Sequence, residues 1–341
     1  MPPMAKTNGD SSRLLSLIDR LPLIRVAVWG DFILDEYLYG YTRRISREAP
    51  VMIIGYKSRE YSLGGAGNAA RNLAALGVEV EAIGVMGADE GGREVRRLLS
   101  RSGISHRMMA EERGFATPLK TRILAGEENT KKQQILRIDR EGQVPEKKSL
   151  QDALLVSLTE ASASCDALLV SDYHYRTVDQ AVFGKARKAF QTAGKPVTLD
   201  SRFRLLQFKG ATVATPNEPE VESQLKTPLE DDRSALIEAG RSLLKKLQSA
   251  ALLITRGSKG MALFEKGKPP CLLPVYGSTD IVDVTGAGDT VIAVFTAALA
   301  AGASFRDSAL LANFAGGLVV MKKGTAVVRP GELKQAICDR P

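Results

Sequence analysis

Asp289 closes the run DVTGAGD (283–289), directly after two alternating glycines and ahead of the apolar stretch VIAVFTAALAAGA (291–303). A carboxylate at the head of a helix often serves only as a cap or a partner for the helix dipole. Glycines at 286 and 288 add a second option. They permit unusual dihedrals and close approach, so the N–H groups of Gly286, Ala287 and Gly288 can face an anion. Asp289 could then take a proton from an alcohol while that cradle holds a transferring phosphoryl group. Proton transfer of this kind contributes roughly 10²- to 10⁴-fold, and positioning with charge stabilisation supplies the larger share in phosphoryl transfer. Val291, Ile292, Phe295, Ala298 and Leu299 recur at core spacing in the following helix, which predicts that Asp289 is held rather than mobile.

Such a site needs a frame. Short apolar runs at 23–31, 78–87, 166–172, 195–200, 211–217 and 251–257 read as strands, several of them apolar throughout. Helical periods such as NAARNLAALG and RSALIEAGRSLLKKLQ lie between them. The alternation predicts an α/β fold, a mostly parallel sheet with helices on both faces. Most of these strands end in a polar residue, and in open α/β sheets ligands bind beyond the carboxyl ends of the strands. Residues 36–60 and 113–140 break the rhythm with strand-like alternation and no helix, which predicts a separate small antiparallel sheet acting as a lid or a contact between subunits. Residues 1–12 read as a flexible tail and 13–341 as one domain.

Composition excludes several other chemistries. An apolar fraction of 44% with 25% charged residues is that of an ordinary globular protein. The opening residues lack the apolar core of a signal peptide, and the 291–303 stretch is too short to span a bilayer. Cys165, Cys271 and Cys338 are odd in number and lack metal spacing, which fits a reducing cytoplasm. His106 and His174 are too far apart to suggest a metal centre or a histidine-based triad. The net charge of +8 is spread along the chain without interleaved aromatics, so an anionic small substrate fits it better than nucleic acid. No G-x-x-x-x-G-K-[ST] occurs, and GGAGNAA (64–70) follows the lid segment instead of the first long strand, so neither a P-loop nor a dinucleotide site is expected.

DVTGAGDT resembles the second signature of the PfkB, or ribokinase-like, sugar kinases, and SLGGAGNAARNLAALG resembles the first. TPNEPE is similar to that family's N-x-x-E element and NFAGGLVVMKKGT to its closing helix, in family order across residues 25–330. The resemblance implies a ribokinase-like three-layer α/β/α sandwich with a β-sheet lid, using ATP and Mg²⁺. It implies Asp289 as general base with Gly286, Ala287 and Gly288 as the anion hole. Asp31, Gly64, Gly65 and Asn68 would contact the sugar. Asn217 and Glu220 would organise Mg²⁺ and its waters, Glu220 through water. Gly257, Gly260, Asn313 and Gly317 would border the nucleotide.

GDFILDEYLYGYTRRISREAPV, GVMGADEGGREVRRLL, PLKTRILA and LDSRFRLLQFKGATVATPN further resemble the kinase domain of the bifunctional ADP-heptose synthesis proteins. That domain phosphorylates C1 of D-glycero-β-D-manno-heptose 7-phosphate. The nucleotidyltransferase half of those proteins does not follow in this sequence, so a separate nucleotidyltransferase is the expected pathway partner, alongside a homodimer through the lid. Lys120, Arg122, Arg44 and Arg202 are the candidate cations for the 7-phosphate, since Arg suits phosphate by bidentate geometry. This chain departs from that pattern. DYHYR (172–176) stands in place of D-Y-G-K-G, LDSR in place of D-P-K, and Arg47 in place of a proline. The competing readings are a PfkB kinase for a pentose, hexose, hexose phosphate or nucleoside, and a non-catalytic sugar-sensing or nucleic-acid-binding protein.

Overall fold

Val26 to Trp29 are apolar and fully buried, and a strand buried on both faces belongs inside a helix-covered sheet. The computed structural model, which describes residues 8–127, 132–277, 282–322 and 324–339, places it there. The chain runs through α1 (Asn8–Arg20), β1 (Arg25–Gly30), β2 (Phe32–Ile45), β3 (Met52–Gly65), α2 (Ala66–Ala75), β4 (Glu79–Gly87), α3 (Glu90–Arg101) and β5 (Ser105–Glu112). Next come β6 (Leu119–Ala125), β7 (Gln133–Arg140), α4 (Lys148–Ser164), β8 (Ala167–Asp172), α5 (Gln180–Thr192), β9 (Val197–Ser201) and β10 (Val213–Ala214). The last part is α6 (Glu218–Leu225), α7 (Arg233–Leu247), β11 (Ala251–Thr255), β12 (Met261–Glu265), β13 (Cys271–Leu273), α8 (Ala287–Ala300), α9 (Phe305–Val319) and α10 (Pro330–Cys338).

The main sheet has the order β13-β12-β11-β10-β9-β8-β1-β4-β5, parallel from β11 through β5, with β12 and β13 added antiparallel at one edge. One face is packed by α1, α2, α8, α9 and α10 through residues such as Leu14, Leu73, Phe295, Leu311 and Leu333. The other is packed by α4, α5 and α7 through Leu154, Phe190 and Leu243. The fold is therefore the three-layer α/β/α arrangement expected. From β1 the chain moves outward to β4 and β5, then returns to the other side of β1 as β8. The order reverses there, and the crevice beyond the carboxyl ends of β1 and β8 is where such sheets bind ligands.

The second sheet has the order β3-β2-β6-β7, with β2 parallel to β6 and both outer pairs antiparallel. Both expected lid segments belong to it, but the sheet is mixed where an antiparallel one was expected, because β6 runs beside β2 in the same direction, and β2 and β3 extend beyond the 36–60 span. Its register sets Lys120 beside Asp35 on one side and Asp139 on the other.

The expected tail is corrected in part. Helix α1 begins at Asn8, because Leu14, Leu17 and Ile18 recur at helical spacing and bury against the core; residues 1–7 of that segment lie outside the described residues. Among the described residues no helix is long and apolar enough to cross a membrane.

Candidate active site

Gly286, whose φ of 77° is left-handed, caps the start of helix α8, and Asp289 lies in the first turn. A side chain at 286 would be strained, and its Cβ would sit 2.4 Å from Asn68 Nδ2. That closeness brings α2 against α8. Asn68 Nδ2 donates to Asp289 Oδ2 at 2.8 Å, and the Tyr173 hydroxyl, just past β8, donates to Oδ1 at 2.9 Å. Asp289 is buried, and burial pushes its carboxyl from 3.8 up to about 6, against the pull of those two donors. A carboxylate poised there is ionised at neutral pH yet basic enough to accept a proton.

Asp289 borders a cavity of about 460 Å³ at the carboxyl ends of the strands. The lid supplies Asp35, Lys120, Arg122, Gln134 and Arg137 to its wall, and Gly64 and Gly65 to its floor. Opposite stand Asp172, Tyr173, Asp200, Arg202, Asn217 and Glu220. Gly64 is needed where it is: a Cβ would meet Asp35 Oδ2 at 2.6 Å. Arg122 Nη1 donates to Asp35 Oδ1 at 2.7 Å. Lys120 Nζ lies 5.5 Å and Arg202 Cζ 6.0 Å from the centre of the Tyr173 ring, the range of cation–π attraction. Burial lowers the Lys120 pKa.

Asn217 and Glu220 form a capping box at the start of α6. Asn217 Oδ1 accepts from the Glu220 N–H at 2.8 Å, and Glu220 Oε2 accepts from the Asn217 N–H at 3.0 Å. The same two side chains border the cavity, so capping and site roles coexist. Burial raises the Glu220 carboxyl, and Asp200 is raised well above its usual range by burial and then by the charge of Glu220. Two acids that resist joint ionisation are a receptive place for a divalent cation. Among the described residues no three-ligand His/Cys/Asp/Glu cluster exists, and Mg²⁺, which keeps most of its waters, does not require one.

The sequence pattern of the pfkB family carbohydrate kinases matches residues 24–330. The chain belongs to that family. This kinase is 39% identical over 318 residues to "Bifunctional protein HldE" of Desulfatibacillum aliphaticivorans, and 41% identical over 320 residues to the HldE of Nitrosococcus oceani. Each match covers 93% of the chain and 64% of the relative, so the chain spans just under two thirds of their length. In fold the kinase is similar to Arabidopsis thaliana ribokinase complexed with ribose and ATP (TM-score 0.70, 23% identity, 92% of this chain and 98% of that one). It is likewise similar to Escherichia coli phosphofructokinase-2 in complex with fructose-6-phosphate (TM-score 0.72, 16% identity, 93% and 98%). The fold is ribokinase-like, and the enzyme is a phosphotransferase with an alcohol as acceptor.

Of the expected site residues, Gly64, Gly65, Lys120, Arg202, Asn217, Glu220, Gly286, Gly288 and Asp289 border the cavity of this pfkB-family kinase, and Asn68 lies directly behind Asp289. Others stand apart. Asp31 is buried and takes backbone N–H groups of Tyr173 (2.7 Å) and Tyr175 (3.1 Å) on Oδ2 and of Thr177 (3.2 Å) on Oδ1. These bonds tie Asp31 to the loop after β8, and it does not border the cavity. Ala287 gives its N–H to Val284 O in a turn, leaving Gly286 and Gly288 at the cavity. Gly257 and Gly260 make the tight turn between β11 and β12, at φ of 55° and 81°. Asn313 Nδ2 donates to Pro274 O at 2.7 Å, and a Cβ on Gly317 would meet Tyr276 O at 2.0 Å, so both hold the 274–276 segment against α9. Arg44 is exposed on the outer half of β2.

Asp35, Tyr173, Asp200 and Arg137 went unread in the sequence. Asp35 lies two residues beyond Ile33 on a strand, so the period of two places both on the cavity side. Asp200 ends the stretch read as KPVTLD, the position where α/β sheets place ligand contacts. Tyr173 and the preceding Asp172 are the two residues that DYHYR shares with D-Y-G-K-G. His174 and Arg176 occupy the two glycine positions with φ of 71° and 69°, and neither they nor Tyr175 border the cavity.

Proposed function

We propose that this kinase transfers the γ-phosphoryl group of ATP to C1 of D-glycero-β-D-manno-heptose 7-phosphate. One observation carries the reading: a single cavity joins a buried carboxylate, Asp289, to a wall bearing Lys120, Arg122, Arg137 and Arg202. A sugar that already carries a phosphate has a use for both ends. The HldE relatives support the same substrate, and Arg202 keeps a cation where the heptose-kinase pattern has the lysine of D-P-K.

In this reading Asp35 accepts from sugar hydroxyls above Gly64, and Asp289 takes the proton of the attacking hydroxyl while Asn68 fixes its orientation. The γ-phosphoryl lies over Gly286 and Gly288, where helix N–H groups and the macrodipole favour negative charge. Asp200 and Glu220 hold Mg²⁺ with its waters. When bound, the ion neutralises charge on the phosphate oxygens. The β11–β12 turn at Gly257 and Gly260, with the 274–276 segment pinned by Asn313 and Gly317, frames the nucleotide. The lid excludes water and so limits ATP hydrolysis.

The lid also presents Ile45, Val51, Met52, Tyr56, Leu136 and Ile138 to solvent, more apolar surface than a small sheet leaves bare without a partner. A homodimer through this sheet accounts for it. The enzyme would act in the cytoplasm, ahead of the nucleotidyl step that yields ADP-heptose.

The test is a panel of D-glycero-D-manno-heptose 7-phosphate, the unphosphorylated heptose, fructose 6-phosphate and ribose, each assayed with ATP for ADP release and by ³¹P NMR of the product. The heptose phosphate should be preferred by at least tenfold in kcat/KM, with the new phosphorus on C1. Preference for another sugar would replace it as the substrate.

A further inference from the structure

We infer that Tyr173 is a positioning residue of the phosphoryl transfer: its hydroxyl keeps the Asp289 carboxylate aimed and ionised, while its ring seats the cations that face the substrate. The inference rests on the reading of Asp289 as general base.

Asp289 faces Asn68 and Arg71 from α2, Asp35 and Lys120 from the lid, and Tyr173, Asp200 and Arg202 from the ends of β8 and β9. Among the described residues only Asn68 and Tyr173 hydrogen-bond its carboxylate, one on each oxygen. Donation to the ionised form stabilises that form, so Tyr173 opposes the effect of burial. A tyrosine suits this task because it remains a donor. Burial, and next the charge of Asp289, raise its own pKa well above the usual 10, so it does not titrate where the base does.

The backbone around it is over-determined. Asp31 takes the N–H groups of Tyr173, Tyr175 and Thr177, and Val144 N–H bonds to Tyr175 O at 2.9 Å. His174 and Arg176 are held in left-handed conformations that residues with side chains rarely adopt. A loop kept in such a state by its surroundings points to a required geometry. The side chain it presents is Tyr173, which reaches the base with its hydroxyl and Lys120 and Arg202 with its ring.

Tyr173→Phe separates the two ends, keeping the ring and removing the donor. Two measurements read it. In the purified protein without substrate, the Asp289 side-chain carboxyl is followed by ¹³C NMR against pH, its resonance assigned by its absence in Asp289→Asn. The wild-type midpoint should fall near 6, and the variant should titrate roughly one pH unit higher, as loss of one donor to a carboxylate implies. In kinetics with heptose 7-phosphate and ATP, the acid limb of kcat/KM should move upward by the same amount. Activity at pH 6 then falls to roughly a tenth of the variant's own plateau, where wild type keeps about half, and the KM for the sugar phosphate is unchanged because the ring remains. An unchanged carboxyl midpoint, or a uniform loss at every pH, would overturn the role assigned to Tyr173. Retention of activity by Asp289→Asn would instead overturn the base reading itself, so the two failures are distinguishable.

Discussion

Replacing Asp289 by Asn should stabilise the folded protein at the pH where the enzyme works. In the native state burial raises this carboxyl from 3.8 to about 6. A rise of about two pH units corresponds to roughly 3 kcal/mol, an upper figure because the surroundings relax. The sign follows from linkage. The unfolded chain ionises first, near the ordinary value, and the buried carboxylate remains costly above the folded value. Asp289 therefore imposes no penalty below about pH 4, a growing one between about 4 and 6, and the full one above. Asparagine fits the same contacts, since its oxygen can accept from Asn68 Nδ2 and its amide can donate to the Tyr173 hydroxyl oxygen. Melting by calorimetry should show Asp289→Asn with a Tm about 2–4 °C above wild type at pH 8, a difference that disappears by about pH 4. A destabilised variant at pH 8, or a difference independent of pH, would refute the assignment of Asp289 as a carboxylate held at a cost in stability for function.

Gly286→Ala should lower kcat by tenfold or more, because a left-handed alanine costs about 1–2 kcal/mol and its Cβ would collide with the amide that orients Asp289. Stopped assays at saturating substrate would show it, and wild-type turnover would remove Gly286 from the account. Lys120→Met and Arg202→Met should each raise the KM for a phosphorylated sugar by roughly 10- to 100-fold, the worth of about 1.5–3 kcal/mol for a charged hydrogen bond. The KM for ATP should change little. Equal losses with phosphorylated and unphosphorylated sugars would show that these cations do not read the second phosphate.

The frame was more legible than the contacts made inside it. Apolar runs and helical periods revealed the parallel sheet and its covering helices, because burial on two faces leaves a mark in composition. Asp289 was legible because the glycines before it constrain the backbone locally, whereas Asn68, Asn217 and Glu220 came from the family resemblance alone, and Asn68, expected at the sugar, instead holds Asp289 from behind the cavity wall. Asp31 and Asp35 show the limit. Both are acids near the end of β1, and the choice between them depends on three amides from residues 173–177, far away in sequence. Tyr173 was hidden for the same reason, since its partners come from α8, the lid and the end of β9. Helix α1 was missed because its sparse apolar positions gain meaning only once α10 and the core are present to bury them.

The central claim is that Asp289 removes the proton from the sugar hydroxyl as the phosphoryl group moves. Steady-state kinetics of Asp289→Asn with ATP and heptose 7-phosphate, on protein shown folded by its melting transition, test it most directly. The account predicts a loss of kcat of about 10²-fold or more, with the KM values for ATP and sugar within a few-fold of wild type. Turnover within tenfold of wild type would contradict it.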